Sequence, residues 1–198
     1  GNVTINYGVT MSNILAQTQP IINNYGGTIT INGGTFSYNA TTKGVIRSSG
    51  TLNINGGTFS YNRDIKNDYT LNGNGGMVIN ASSFATINGA TFTGNYIESY
   101  ARDGGIIYFS GSNGGTNKFI ISNTTFSGNY VKESEGGAIY AYSGANVYLL
   151  SGTKIGGSSS SSNYAVDNGG AICVSGSSTK LYIQNSLTAT VNGSQKTY

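Results

Sequence analysis

A nine-residue phrase recurs along this chain, and that recurrence limits the possible folds more than any other feature. TITINGGTF at 28–36 returns as TLNINGGTF at 51–59, FATINGATF at 84–92, KFIISNTTF at 118–126 and, more loosely, VYLLSGTKI at 147–155. A sixth copy, KLYIQNSLT at 180–188, keeps the first half and loses the aromatic. Three residues after each aromatic stands an asparagine: FSYN, FSYN, FTGN and FSGN end at Asn39, Asn62, Asn95 and Asn129, while the fifth copy reads Ile155 and Ser158. Between copies lies a second motif, a glycine pair and then apolar residues: GGMVI from Gly75, GGIIY from Gly104, GGAIY from Gly136 and GGAIC from Gly169, with KGVIR from Lys43 as its worn first form. Successive aromatic positions are 23, 33, 34 and 29 residues apart, so the connecting segments vary while the motifs hold.

Inside each copy the apolar residues alternate: Ile29 and Ile31, Leu52 and Ile54, Ala85 and Ile87, Phe119 and Ile121, Tyr148 and Leu150, Leu181 and Ile183. Alternation marks short strands with one buried face. Such a unit cannot cover its own apolar face, so about six of them must cover each other by stacking. The expected fold is an all-β parallel β-helix, a solenoid with about six coils and three short strands per coil, over residues 28–198. Residues 1–27 are expected to form an N-terminal lead-in coil or cap, with MSNILAQTQPII at 11–22 as a short helical turn or an irregular plug; LTATVNGSQKTY at the other end reads as one more strand. Composition agrees. Gly, Asn, Ser and Thr make 103 of 198 residues and charged residues only 9%, which excludes a helical bundle because these residues disfavour helix interiors. Apolar content of 37%, 15 tyrosines and a single proline exclude a disordered tract.

Stacking in register turns each repeated position into a column. Phe36, Phe59, Phe92 and Phe126 are expected to fill the interior, and Asn39, Asn62, Asn95 and Asn129 to bond coil to coil at a corner. Asn32, Asn55 and Asn88 form a second polar column. Gly33, Gly56, Gly89 and Gly152, replaced by Asn123 and Asn185 in two copies, mark a corner that needs left-handed backbone.

The chain contains no histidine, so imidazole bases, histidine triads and histidine metal sites are excluded. Cys173 is alone, which excludes an internal disulfide and reads as a buried structural thiol, with an intermolecular bridge as the alternative. A net charge of +3 gives no footprint for nucleic acid, and without an apolar run of membrane length this segment is not expected to insert in a bilayer. A start at Gly1 without methionine suggests a processed or excised piece. No cofactor, metal or catalytic residue is expected. All seven acids lie between an FxxN and the next glycine pair, and Asp103 and Glu135 immediately precede such pairs. As coil neighbours about 5 Å apart they could share a proton, hold calcium or act as paired glycosidase carboxylates. The simpler reading makes them solvated loop acids balanced by Arg102 and Lys132. A second candidate surface is the column Arg47, Ile79, Tyr108, Tyr140 and Cys173, and a third is Thr30, Asn53, Thr86, Ile120, Leu149 and Tyr182, which turns from polar to apolar along the rod. The expected binding edge therefore comprises Asp103, Glu135, Arg102, Lys132, Tyr108 and Tyr140. Only Thr28 and Thr30 keep a T-x-T pair in the first strand of a unit, too little for an ice-binding face.

FxxN alternating with GGAI resembles the repeat of the polymorphic membrane proteins, found in secreted autotransporter passenger domains and in β-helix adhesin-like proteins. The resemblance covers about residues 28–175. It implies a right-handed parallel β-helix, secreted to the cell surface or extracellular matrix, non-enzymatic, acting in adhesion or as a self-associating fibre subunit. The implied partners are a host-surface or matrix protein or glycan, or further copies of the chain end-to-end or side by side. The competing expectation is a carbohydrate-active β-helix, either a polysaccharide lyase or a tailspike-like glycoside hydrolase.

Overall fold

The computed structural model describes residues 1–65, 77–98, 104–112, 116–132, 134–184, 188–191 and 194–197. The chain winds as a parallel β-solenoid through four stacked sheets. The first sheet contains Asn2–Ile5, Thr28–Ile31, Thr51–Ile54, Phe84–Asn88, Lys118–Ser122, Asn146–Leu149 and Lys180–Ile183. The second contains Thr10–Ser12, Thr35–Ser37, Gly57–Ser60, Ala90–Thr93, Thr125–Ser127, Lys154–Ile155 and Thr188–Val191, closed by the antiparallel strand Ser194–Thr197. The third holds six two-residue strands, Leu15–Ala16, Ala40–Thr41, Arg63–Asp64, Tyr96–Ile97, Tyr130–Val131 and Tyr164–Ala165. The fourth holds Ile22–Asn24, Ile46–Ser48, Ile79–Ala81, Ile107–Ser110, Ile139–Tyr142 and Ile172–Ser175. Six coils visit all four sheets, and a seventh begins at Lys180.

Each coil thus has four strands and not the expected three. The additional strand follows the FxxN asparagine, which turns the chain sharply enough to set the next two residues in a sheet of their own. The helical turn considered for 11–22 does not form, because those residues contribute strands to the second, third and fourth sheets.

The core is a set of vertical columns. Phe36, Phe59, Phe92 and Phe126 are fully buried, with ring centroids 4.7, 4.8 and 5.0 Å apart and planes within 8° of parallel. That separation is the spacing between strands, so the register of the backbone and the stacking of the rings support each other. Met11 begins the column and Ile155 continues it. Bulk is balanced between neighbouring coils: buried Phe109 and Phe119, stacked at 4.3 Å, sit above Ala81 and Ala85 in their columns.

The asparagine corner is densely hydrogen-bonded. The Asn62 side-chain oxygen accepts from the Asn39 backbone N–H at 3.2 Å and from Asn39 Nδ2 at 2.9 Å. Its own Nδ2 donates to Asn95 Oδ1 at 2.8 Å and to the carbonyl of Phe36 at 3.0 Å. Asn95 and Asn129 repeat the pattern. The next member is Asn163 and not Ser158: Asn163 Oδ1 accepts from Asn129 at 2.7 Å, and its Nδ2 reaches the Phe126 carbonyl. Five extra residues, including the short 3-10 turn Ser159–Ser161, separate aromatic and amide in this coil.

The same coil carries a one-residue slip in the first sheet. Val147 and Leu149 pair with Phe119 and Ile121 and point inward, so Tyr148 is outward and the expected inward pair Tyr148 and Leu150 is displaced. Side-chain alternation makes a single extra residue in the following turn sufficient to exchange faces. Likewise the turn glycines with positive φ in the first two copies are Gly34 and Gly57, one residue later than expected, whereas Gly89, Asn123 and Gly152 fall as expected.

Replacing Asn62 by alanine removes four hydrogen bonds and strands buried donors and acceptors on Asn39, Phe36 and Asn95, so it should cost about 3 kcal/mol or more in a denaturant titration. Asn95→Asp should be pH-dependent. Its buried carboxylate would face the Phe59 carbonyl where a donor belongs, raising its folded pKa above the unfolded value. The variant should then be less destabilised at pH 4 than at pH 7, and equal losses at both would contradict the assigned amide orientation.

Candidate functional site

Of the residues that precede the glycine pairs, Glu135 and Asn168 meet, while Asp103 lies outside the described residues. Glu135, just before Gly136, accepts from Asn168 Nδ2 at 2.8 Å on one carboxylate oxygen and from Cys173 Sγ at 3.5 Å on the other. Tyr140 shares side-chain hydrogen bonds with Glu135 and Ser175. The backbone holds this corner in the same way as the rest of the stack: Gly104 N donates to Ser134 Oγ at 2.9 Å, and Gly136 N donates to the Asn168 carbonyl at 2.9 Å. Gly136 has φ of 70°, so the turn favours glycine, and a Cβ there would strike the Ile139 carbonyl.

Burial, reinforced by the Glu135 charge and hydrogen bond, pushes the Cys173 thiol up to about 11. The Tyr140 phenol is also raised, chiefly by burial, with the Glu135 contact adding to the shift and the Ser175 hydrogen bond opposing it. Both groups are neutral donors at physiological pH. The cluster therefore ties Glu135 to the next coil, and its thiol is a poor nucleophile.

Of the expected binding edge, Asp103 and Arg102 lie outside the described residues. Lys132 is exposed directly after the third-sheet strand Tyr130–Val131. Tyr108 and Tyr140 are register neighbours with rings 5.6 Å apart, but they are only 4% and 5% exposed, so they are not the expected open aromatic column. The fourth-sheet column itself runs Arg47, Asn80, Tyr108, Tyr140 and Cys173, with Asn80 where Ile79 was expected. The glycine motif GGMVI aligns one residue later than its siblings, which sends Ile79 into the core. Among the described residues no three His, Cys, Asp or Glu side chains gather in a way that could hold a metal ion. Among them also, no helix is long and apolar enough to cross a membrane.

The exposed aromatic surface lies elsewhere. The third position of FxxN, immediately before the buried amide, is held in left-handed backbone at Tyr38 (φ 54°), Tyr61 (53°), Gly94 (62°) and Gly128 (62°), and Asn13 (57°), which precedes Ile14, takes the same conformation in the first coil. Glycine and asparagine tolerate this conformation, whereas a tyrosine pays about 1 kcal/mol for it. Tyr38 and Tyr61 are nevertheless 59% and 49% exposed, with rings stacked at 5.2 Å. The Tyr61 ring lies against Gly94, where a Cβ would come within 2.6 Å of it. Further tyrosine rows stand outward on the third sheet, Tyr96, Tyr130 and Tyr164, and on the first, Tyr148 and Tyr182. The signal for the strained pair was present in FSYN against FTGN, but only the backbone angles show what the exchange costs.

A hydroxyl face also exists where the repeat had not shown one. Thr10, Thr35, Thr58, Thr91 and Thr125 stack on the second sheet beside Ser12, Ser37, Ser60, Thr93 and Ser127. Ser37 and Ser60 are buried, so this sheet does not present two regular rows of hydroxyls to solvent.

No protein family, curated protein or solved structure matches this chain.

Alkylation of Cys173 tests the cluster. At pH 8 iodoacetamide should label it about a hundredfold more slowly than an unhindered thiol, as a two-unit rise in pKa requires. Glu135→Gln should speed labelling without restoring the free-thiol rate, and an unchanged rate in that variant would remove the carboxylate from the account.

Proposed function

We propose that this protein is a non-enzymatic β-solenoid of the cell surface or extracellular space that acts in adhesion. The observation that carries this reading is the pair Tyr38 and Tyr61: exposed aromatic side chains kept in left-handed backbone at a corner where two other coils use glycine. Exposed side chains held at a cost to folding point to a role outside folding. Tyrosine suits that role, since it offers a large amphipathic contact at small loss of conformational freedom. A solenoid whose core columns are packed from coil to coil presents such side chains on a rigid support. The engagement of Glu135 by neutral donors, and the raised Cys173 thiol, fit a scaffold better than a reaction centre.

Tyr38→Gly combined with Tyr61→Gly tests the reading, because Gly128 already serves this position in the fifth coil. The double variant should unfold at nearly the same temperature as the parent, yet show at least a fivefold loss of retention on epithelial monolayers and on surfaces coated with collagen, fibronectin and laminin. Undiminished retention on every surface, or no retention of the parent, would refute adhesion through this corner.

A further inference from the structure

The outward face of the first sheet changes character along the rod. Its central column reads Thr4, Thr30, Asn53 and Thr86 through four coils, then Ile120, Tyr148 and Tyr182. Tyr148 and Tyr182 stack at 4.5 Å with planes 8° apart, and Tyr182 is 37% exposed. On one side of this column stand Lys118, Asn146 and Lys180 in register. On the other, Leu150 and Gln184 are held in successive coils by backbone bonds to Ile121 and Leu149. The step from Ile120 to the larger Tyr148 leaves an open-sided groove of about 230 Å³, lined by Lys118, Ile120, Tyr148, Leu150 and Gln184.

Charge distinguishes this groove from the rest of the molecule. Lys118 and Lys180 are exposed, as is Lys154 on the adjoining second sheet. Six of the seven acids, Asp68, Glu98, Asp103, Glu133, Glu135 and Asp167, fall in sequence between a third-sheet and a fourth-sheet strand, the seventh ends the third-sheet strand Arg63–Asp64, and none falls in a described strand of the first or second sheet. The lysines here face no carboxylate of their own sheet. Two of them occupy the same column two coils apart, a repeat of about 9.6 Å along the rod.

We infer that this face binds an acidic polysaccharide, a chain of hexopyranose units carrying carboxylate or sulfate groups. This rests on the adhesion reading and names a ligand class for it. A tyrosine wall and apolar floor suit the C–H faces of a sugar ring, the exposed Gln184 offers an amide to its hydroxyls, and the periodic lysines suit a periodic anion. The strands Lys118–Ser122 and Asn146–Leu149, which carry Lys118, Ile120 and Tyr148, are paired on both sides, so an extended peptide finds no backbone edge there and could join only the outer strand Lys180–Ile183.

The probe is a fluorescently labelled oligogalacturonate, with a neutral dextran oligomer and a poly-glutamate peptide of equal charge as comparisons, read by anisotropy at low and physiological salt. Oligogalacturonate should bind, weaken with salt, and outcompete both comparisons. Lys118→Gln with Lys180→Gln, and separately Tyr148→Ser, should each weaken it at least tenfold, while Lys43→Gln with Lys132→Gln leaves it within twofold; circular dichroism confirms that each variant is folded. No binding, equal binding of the neutral oligomer or of poly-glutamate, or insensitivity to both groove variants would overturn the inference. If the groove fails while retention on surfaces still depends on Tyr38 and Tyr61, the acidic glycan is lost and adhesion stands; if both fail, adhesion is lost as well.

Discussion

Every full coil of this solenoid depends on making one sharp turn without leaving a buried polar group unpaired, and from the second coil onward a single asparagine accomplishes it. The amide has two acceptor directions and two N–H donors, and Asn62 and Asn95 use all four. Oxygen receives the coil before, nitrogen reaches the coil after and the carbonyl behind. Serine offers one donor at the end of a shorter arm, which explains why the sixth coil inserts five residues to place Asn163 instead of using Ser158. The corner also fixes height: an amide that bonds both neighbours sets coils at strand spacing, and the phenylalanine rings three residues earlier then meet at 4.7 to 5.0 Å.

Once that corner and the ring column are satisfied, much else is free to vary. From Thr41 to Ile46 the chain takes five steps, but from Asp64 to Ile79 it takes fifteen, and the register of both flanking sheets survives. Long insertions add little closure entropy when their ends are already held together. The acidic residues have collected in these insertions, whereas the first and second sheets keep lysine alone.

Much of this architecture is legible in the repeat because its two strongest motifs are the two columns with least freedom. A fully bonded amide and a ring in a filled column admit few substitutes, so they recur in print as FxxN. The third-sheet strands are not legible in the same way: two residues such as Ala40–Thr41 or Tyr130–Val131 carry no period to detect. The slip at Val147 has a different cause. VYLL is apolar at four successive positions, so either register buries a plausible pair, and only the neighbouring Phe119 and Ile121 decide between them. A similar one-residue ambiguity in GGMVI put Ile79 outside when its place is in the core. The Glu135 cluster was half visible: the acid stood before its glycine pair, but its partners Asn168, Cys173 and Ser175 lie a full coil away.

Surface and core therefore answer to different constraints, and the tyrosines show it most clearly. Phe59 and Tyr61 are two residues apart in one strand and turn. The ring of Phe59 is dictated by the rings above and below it; the ring of Tyr61 lies outside, in a backbone conformation that glycine adopts with less strain. Stacking on Tyr38 and lying over Gly94 return part of that cost, but a glycine would incur none of it. The same division separates Tyr148 from Val147, one ring outward against Tyr182 and one side chain inward against Phe119. In a solenoid each outward position can change without disturbing the column behind it. An outward face can then change coil by coil, by exchanging threonine and asparagine for isoleucine and tyrosine, while the amides and phenylalanines inside keep the coils in register.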